Sequence, residues 1–328
     1  MTVDLAPLFT NETLPTRLLF EVELKPVQGS RFQPTGFPDL GAAVYDTVEG
    51  TRLLVESAQS MANRLESVCW EPSTNSLPEE LQGLSYVRVE QKGAYLTSTL
   101  TEAHRLNSPY ILESKNKSFF EELQQHTKEL ENGAISRPKL ARLILRYDAN
   151  ALLHGVFLAK KELVGGRLRL ERALSAFIEA EDVRVAASGG VKNDHVNPKG
   201  GAKDGLGGAK EGFGNVPFQR DEYTARRIVA YFNLDLEEIR GFGVGEEAER
   251  MLVLLALYKI RKLLDGRLRL RTACDLEVAG DAPITAKRPA GFKLPALNDL
   301  RTALRSAVKA CASQFAGKDG VTVVEFQA

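Results

Sequence analysis

The sequence predicts an α+β fold, because short segments with a two-residue apolar period are interspersed with longer segments whose apolar residues recur every three to four positions. The first period is typical of half-buried strands, and the second is typical of amphipathic helices. No strand-helix-strand unit repeats, which argues against a doubly wound parallel sheet. The length of 328 residues indicates one core with large insertions or two lobes, and the hydrophobic content of 43% excludes wholesale disorder.

The first predicted strand covers residues 17–25, where apolar side chains alternate with charged ones. Pro26 and Gly29 end this strand. Residues 28–41 contain too many glycines and prolines for a regular element, so they are predicted to form a loop with an unusual content of aromatic and basic side chains.

The remaining elements follow from the same two periods. They are, in order, a helix over 52–70, a strand over 84–90, helices over 118–130 and 139–158 with a break near Asn150 in the second, a strand over 176–187 that ends at Ser188, Gly189 and Gly190, helices over 222–232 and 246–264, a strand over 267–278, a helix over 297–315 and a closing strand over 321–326. The helix over 246–264 is so apolar that we expect it to pack on several sides, with Gly266 as its stop.

Residues 200–214 contain seven glycines together with Lys203 and Lys210, which predicts a long, mobile loop. The loop lacks the Gly-Lys-Ser/Thr ending of a phosphate-binding loop, so a nucleotide triphosphatase is excluded. A second group of glycines, at 241–245, comes directly before a predicted helix. A turn between two helices is favoured there over an anion-binding site at the helix N-terminus. The segment GFGNVPF at 212–218 only partly matches the aromatic signature of RNA-recognition folds.

Composition indicates the compartment but not the ligand. Lys plus Arg and Asp plus Glu number 43 each, so nucleic-acid binding has to be inferred from basic clusters and not from net charge. The three cysteines are far apart and indicate a reducing compartment. The N-terminus lacks a basic region followed by an apolar stretch, and the longest apolar run, 251–258, is far shorter than the ~20 residues of a membrane span. We therefore predict a cytoplasmic protein without membrane contact.

The most informative motif is GRLRLRTACDLEV, in which Arg267, Arg269 and Arg271 share one face of the predicted strand. A row of like charges is unfavourable unless an anion lies opposite, which suits a phosphate backbone. The alternative is an edge strand protected from aggregation by its charges. The sequence GRLRL also occurs at 166–170, where it places Arg167 and Arg169 similarly.

The sequence contains few residues that fit a catalytic motif. The four histidines lie apart from one another and from any metal-ligand spacing, so we predict no catalytic residue, no metal and no cofactor. Asp194 and His195 follow a glycine turn and favour a solvated turn over a catalytic base. Asp39, in the loop after the first strand, is the best lone acid for metal-assisted chemistry.

Several segments together resemble one family, the RAMP-superfamily backbone (Cas-seven-type) subunits of type I-G (formerly I-U) CRISPR Cascade complexes. The resemblance extends from about Arg17 to Glu277 and is carried by RFQPTGFPDLGAAVYD, ESAQSMANRLE, HGVFLA, ALSAFIEAEDV, SGGVKNDHV, GFGNVPFQRDEYTA and GRLRLRTACDLE. It implies a single subunit over 1–328 with a modified RNA-recognition (ferredoxin-like) core, large insertions and a protruding thumb. The implied regions are core elements at about 16–70, 84–91, 174–187 and 222–278, a thumb or flexible insertion at about 188–220, and a C-terminal helix and strand at 294–326.

The resemblance also implies a function and partners. Such a subunit binds CRISPR RNA, polymerises head to tail with further copies of itself, and presents the guide to target DNA through base pairing in antiviral defence. Its other partners are the large subunit, the guide-processing end-cap subunit and a recruited helicase-nuclease. The residues that map to the RNA contacts are Arg31, Phe32, Gln33 and Thr35 in the loop after the first strand, Ser57, Gln59, Ser60 and Asn63 in the first helix, Lys192, Asn193, Lys199, Lys203, Lys210, Phe213 and Arg220 in the thumb region, and Arg267, Arg269 and Arg271 in the arginine stripe.

Two alternatives stay open at this point. Relatives in type III complexes cut RNA with an aspartate of the first-strand loop, so a metal-dependent endoribonuclease using Asp39 is the second hypothesis. Type I relatives leave cutting to a separate enzyme, and on this basis we expect no activity from this chain alone. The third hypothesis is a structural subunit that contacts only protein.

Overall fold

The computed structural model describes residues 3–10, 14–37, 40–130, 133–199 and 214–328, without the Phe37 side chain. Four residues singled out from the sequence, Asp39, Lys203, Lys210 and Phe213, lie outside the described residues.

The described elements are numbered in chain order. The strands are β1 (Arg17–Pro26), β2 (Gly36–Phe37), β3 (Gly41–Ala42), β4 (Val44–Thr47), β5 (Gly50–Glu56), β6 (Tyr86–Gln91), β7 (Ala94–Ser98), β8 (Val156–Leu158), β9 (Leu168–Leu170), β10 (Leu174–Glu181), β11 (Arg184–Lys192), β12 (Val216–Thr224), β13 (Arg227–Asp235), β14 (Arg269–Arg271), β15 (Cys274–Val278) and β16 (Val321–Glu325). The α-helices are α1 (Ala6–Phe9), α2 (Ala58–Ser67), α3 (Pro109–Leu112), α4 (Ser118–Thr127), α5 (Arg137–Tyr147), α6 (Ala149–His154), α7 (Leu236–Gly241), α8 (Glu246–Leu264) and α9 (Leu297–Ala310).

The largest sheet among these residues has seven strands in the order β14-β15-β1-β13-β10-β5-β4. All of its neighbouring strands are antiparallel. The chain runs β1-α2-β10-β13-α8-β15 through its centre, so the four central strands lie in the order fourth, first, third, second. This is the ferredoxin-like arrangement of two βαβ halves, and the predicted α+β fold with a modified RNA-recognition core is confirmed.

Helix α8 is the central core helix, as predicted. Every residue from Met251 to Ile260 is buried, because the helix packs against α2, α6, α7 and α9. Its start and end follow local rules: Glu246, Glu247 and Glu249 lie in the first turn, where the helix dipole favours negative charge. Gly266 follows the last turn with a φ of 121°, a conformation that suits glycine.

Insertions surround this core. The strands β16, β6 and β7 form a second sheet, in which β16 runs parallel to β6. Strands β11 and β12 pair over nine residues each as a separate two-stranded ribbon that continues the hairpin between β10 and β13. Most ribbon residues are exposed, so the ribbon protrudes from the core. The predicted thumb region at 188–220 falls within this ribbon and its connecting segment.

Some predicted elements were wrong because short apolar runs fit both periods. Residues 50–56 form β5, and the helix starts only at Ala58, after Ser57 accepts a hydrogen bond from the Ser60 N–H at 3.2 Å as its N-cap. Residues 222–232 are not a helix but the end of β12 and most of β13, joined at residues 225–226. Ile228, Ala230, Phe232 and Leu234 alternate with a two-residue period between β1 and β10.

Two predicted turns also differ from the structure. The strand predicted to end at 188–190 continues to Lys192, with Gly189 and Gly190 paired opposite Gln219 and Phe218. The single strand predicted over 267–278 is instead the β14–β15 hairpin, which turns at residues 272–273.

A buried polar network joins the core helices α2 and α8 to the insertion between β7 and β8. The Glu66 carboxylate of α2 accepts hydrogen bonds from Arg105 at 2.6 and 2.8 Å and from the Asn150 amide at 2.9 Å. Lys259 of α8 donates to the Asn150 carbonyl oxygen and to His154 Nε2, the latter at 2.9 Å. Burial, together with the Lys259 charge, holds the His154 pKa well below its usual range, so the ring stays neutral.

We predict that Glu66→Ala lowers the free energy of unfolding by about 3–5 kcal/mol, since it leaves the buried Arg105 guanidinium without its carboxylate. Urea denaturation measures the change. The matched control is Glu129→Ala, an exposed residue 3.3 Å from Lys139, whose loss costs about 0–1 kcal/mol. A cost for Glu66→Ala as small as that of the control would contradict the structural role of this network.

Candidate nucleic-acid interface

The loop after β1 is fixed by its backbone between the thumb ribbon and the β14–β15 hairpin. The Phe32 N–H donates to the Tyr223 carbonyl at 2.9 Å, and the Tyr223 N–H donates back to Phe32 at 2.8 Å. The Gln33 N–H donates to the Ala273 carbonyl at 2.7 Å. Three segments that are distant in sequence therefore meet at one end of the central sheet.

The Phe32 side chain belongs to the core and not to the surface. It is 1% exposed, and this corrects the prediction that its ring contacts RNA. The ring cannot stack on a base because it packs inward and anchors the loop. Gln33 and Thr35 are half-buried, and the Thr35 N–H donates to Val55 of β5 at 3.0 Å.

A polar cleft of about 510 Å³ opens where these segments meet, and we call it the arginine cleft. Its lining comprises residues 26–31, Glu222, Arg269, Thr272, Ala273 and Asp275. Arg31 lies 3.7 Å from the buried Glu222 carboxylate, and Arg220 lies 2.7 Å from the other oxygen of that carboxylate. The structure thus brings together three predicted residues, Arg31, Arg220 and Arg269, from three separate segments.

The arginine stripe is divided between two roles. Leu268 and Leu270 are buried while Arg267 and Arg269 are exposed, which confirms the predicted alternation. Neither exposed guanidinium has an ion-pair partner or a hydrogen-bond acceptor among the described residues. Arg271 is different, as its guanidinium donates to the Gln33 carbonyl at 2.9 Å and pairs with a buried glutamate. Arg271 is therefore a structural clamp, and its predicted RNA contact stays a prediction.

That buried glutamate is Glu56, the last residue of β5, and it also holds the start of α2. The Ser60 hydroxyl donates to Glu56, and Arg64 Nε donates to it at 3.0 Å. The hydroxyls of Ser57 and Ser60 are thus already engaged within the protein. Gln59 and Asn63 are exposed, and the Gln59 side-chain oxygen accepts a hydrogen bond from Arg172 at 3.2 Å.

The far end of the ribbon is organised by Asp194. Its carboxylate accepts backbone N–H groups from Val196 at 2.9 Å, Asn197 at 3.0 Å and Gly214 at 3.0 Å. These hydrogen bonds hold the Asp194 pKa below its usual value. The residue is therefore part of a structured turn. Three predicted contacts surround the turn with exposed side chains, Lys192, Asn193 and Lys199.

The open face of the central sheet is an unsuitable surface for RNA. RNA-recognition folds stack bases on aromatic residues of this face, and here Phe177 and Tyr231 do lie there, with ring centroids 4.9 Å apart. However, Glu21 is paired opposite Tyr231, and Glu179 follows Phe177 on the same face. These carboxylates repel phosphates, so the arginine cleft at the end of the sheet is the better nucleic-acid surface.

Sequence reasoning missed Glu222 and Tyr223 because residues 222–232 were assigned to a helix. The alternation from Ile228 to Leu234 was the signal that could have placed them at the base of a hairpin. It also missed Arg184, which is exposed at the start of β11.

The described ranges contain no group of three or more His, Cys, Asp or Glu residues placed to hold a metal ion. The three cysteines are free and buried, and burial raises the pKa of the Cys274 thiol to about 11. None of the helices that the structure describes is long and apolar enough to cross a membrane.

Comparison with known proteins gives one family. A family model described as CRISPR-associated protein GSU0053 (Cas_GSU0053) matches residues 18–185. No curated protein sequence matches the chain. Among solved structures, a chain of a "CRISPR RNA-guided surveillance complex, pre-nicking" is 15% identical with a TM-score of 0.39, and the match covers 90% of this chain and 89% of that chain. Csc2 of Thermofilum pendens is 9% identical with a TM-score of 0.33, covering 91% of this chain and 79% of that chain.

We predict that Asp194→Ala loosens the end of the ribbon, because three backbone N–H groups lose their acceptor. Hydrogen exchange at Val196, Asn197 and Gly214 should accelerate by about tenfold or more, while exchange in α8 stays unchanged. In the unaltered chain these N–H groups should be protected from exchange when the pH is above the pKa that the Asp194 carboxyl has in the unfolded chain. The protection should disappear as the pH falls through the lower pKa that Asp194 has in the folded protein. Asp221→Ala, on the same ribbon, is the control; equal acceleration in both variants would refute the role of Asp194.

Proposed function

The chain belongs to the Cas_GSU0053 family of CRISPR-associated proteins, and from this premise we propose that it is the CRISPR RNA-binding backbone subunit of a type I interference (Cascade) complex, of type I-G. In this role it is a Cas-seven-type subunit that polymerises along the guide spacer and presents the guide to target DNA. The ferredoxin-like order of the central strands supports this proposal, because RNA-recognition cores share that order.

The observation that carries the proposal is the arginine cleft. Arg31 and Arg269 line it, and Arg220 pairs with Glu222 of its lining. Arg267 and Arg269 have no ion-pair partner or hydrogen-bond acceptor for their guanidinium groups in the described part of the chain. Guide pairing itself reads the target sequence, so a backbone subunit needs only contacts to the RNA phosphates and to the RNA shape. Arginines supply such contacts because a guanidinium binds phosphate whatever the base sequence is.

The protruding ribbon supports polymerisation. Its exposed basic residues lie beyond the edge of the core, and a ribbon that protrudes can reach RNA bound by a neighbouring copy. Contact between the ribbon of one copy and the body of the next is heterologous and does not close, so it produces a filament. The RNA then sets the filament length, and the large subunit and the end-cap subunit complete the complex at its ends.

We propose that this chain alone does not cut nucleic acid and that a helicase-nuclease recruited to the complex does so. Asp39 lies outside the described residues, so the endoribonuclease alternative is decided by experiment.

Replacing Arg31, Arg267 and Arg269 together by Ala should weaken RNA binding and reduce the slope of log K against log salt by about 0.7 for each phosphate that the variant no longer neutralises. Fluorescence anisotropy with a labelled single-stranded RNA at several salt concentrations measures both quantities. The matched control is Arg305→Ala, which removes an exposed arginine of α9 that pairs with Glu79. An unchanged salt slope in the triple variant would overturn the proposed interface.

Co-purification of small RNA of defined length would exclude a subunit that contacts only protein.

Incubation of the purified chain with labelled RNA and Mg²⁺ or Mn²⁺ should give no regular cleavage. The decisive variant is Asp39→Asn. Cleavage at regular intervals by the unaltered chain, abolished in this variant, would establish the endoribonuclease and contradict the proposed division of labour.

A further inference from the structure

The second GRLRL segment builds a small hairpin with an exposed aromatic face. Strand β9 pairs with β8 so that Phe157 lies directly opposite Arg169. Directly opposed residues of an antiparallel pair point to the same face, so the ring and the guanidinium leave the hairpin on one side. Leu168 and Leu170 are buried on the other face and hold the hairpin against the body.

The Phe157 ring is unusually open to solvent for an aromatic residue, at 53% exposure. It lines a cleft of about 580 Å³ together with Arg167 and Arg169, which we call the hairpin cleft. The Arg169 guanidinium has no ion-pair partner or hydrogen-bond acceptor in the ranges that the structure describes. An exposed ring beside an unpaired arginine leaves both a stacking surface and a positive charge available.

The other charges of the hairpin cleft do not neutralise this arginine. Arg137, which also lines the cleft, pairs with Glu238 and lies 3.4 Å from Glu171. Arg167 Nε donates to the Val164 carbonyl at 3.1 Å, which orients its guanidinium while its remaining N–H groups stay available. The cleft therefore keeps a positive excess from Arg167 and Arg169, and this excess favours an anionic ligand.

A short segment of chain links the hairpin cleft to the predicted guide-contacting end of α2. Arg172, three residues beyond Arg169, donates to the Ala58 carbonyl at 3.1 Å and to the Gln59 side chain at 3.2 Å. Three residues of chain span at most about 11 Å. Gln59 is therefore separated from Arg169 by at most three residues of chain and the length of one arginine side chain.

We propose that Phe157, Arg167 and Arg169 form a subsite for single-stranded nucleic acid, in which a base stacks on the Phe157 ring and the two arginines contact neighbouring phosphates. Base stacking on an aromatic ring tolerates any sequence, as does a phosphate contact, so the pair suits a strand that is not read by the protein. The subsite rests on the proposed function and extends its interface from the arginine cleft to the β8–β9 hairpin.

The test uses the full chain and two labelled oligonucleotides of identical sequence, one RNA and one single-stranded DNA. The variants are Phe157→Ala, Phe157→Trp and Arg169→Gln. The controls are Val323→Ala, which trims another exposed apolar side chain, and Arg305→Gln, which removes another exposed arginine. Binding is measured by anisotropy across a range of salt concentrations, with 2-aminopurine fluorescence to report stacking.

Phe157→Ala should lower affinity about tenfold with an unchanged salt slope, whereas Phe157→Trp should retain binding because it retains the stacking surface. Arg169→Gln should lower both the affinity and the salt slope, the latter by about 0.7. A decrease restricted to RNA would assign the guide to the subsite, a decrease restricted to DNA would assign a DNA strand, and an equal decrease on both would show that the subsite accepts either.

The outcomes that overturn the inference are separable from failure of the proposed function. If the Phe157 and Arg169 variants bind like the unaltered chain while the Arg31, Arg267 and Arg269 variant does not, only the subsite is refuted. If the Phe157 variants impair self-association and leave oligonucleotide binding unchanged, the hairpin contacts protein and the subsite is again refuted. If the unaltered chain binds neither oligonucleotide, the proposed function itself fails.

Discussion

The buried carboxylate of Glu56 is the interaction on which the candidate interface depends. It is 1% exposed, and a charge so far from water is tolerated only when it is paired and hydrogen-bonded. Arg64 of α2 and Arg271 of β14 both satisfy it. The same two arginines donate to backbone carbonyls, Arg64 to Leu270 at 2.7 Å and Arg271 to Gln33 at 2.9 Å. One anion thereby fixes a helix, a hairpin and the loop after β1 in a single arrangement.

This arrangement explains how a chain with no net charge can offer a basic surface. With Arg271 held inward by Glu56, the turn of the β14–β15 hairpin lies against the loop after β1 and Arg269 faces the cleft that Arg31 also lines. Two acids, Glu222 and Asp275, also line this cleft, and the three arginines Arg31, Arg220 and Arg269 outnumber them. Glu21 and Glu179, by contrast, lie on the open face of the sheet, so local potential and not net charge decides where phosphate can bind.

The sequence was sufficient for the elements with a long, consistent period, such as β1, α8 and the alternation of Leu268 and Leu270 with their arginines. It failed between 222 and 232, where a short apolar run fits either period and pairing with distant strands decides the outcome. It also could not separate Arg271 from Arg269, which occupy equivalent positions in the pattern. The difference comes from Glu56, 215 residues away, and such a contact leaves no local signal.

The two GRLRL segments share the same alternation of buried and exposed side chains. In each, the leucines are buried and anchor a short strand, and the first two arginines face outward. The residue after the second leucine differs, being Arg271 in one segment and Glu171 in the other, yet in both it pairs with the body of the protein, through Glu56 and Arg137 respectively. The Arg271–Glu56 pair is largely buried, whereas the Glu171–Arg137 pair lies at the surface, with Glu171 61% exposed. The exposed arginines that precede them have no ion-pair partner among the described residues, so two outward guanidiniums at each segment remain for phosphate.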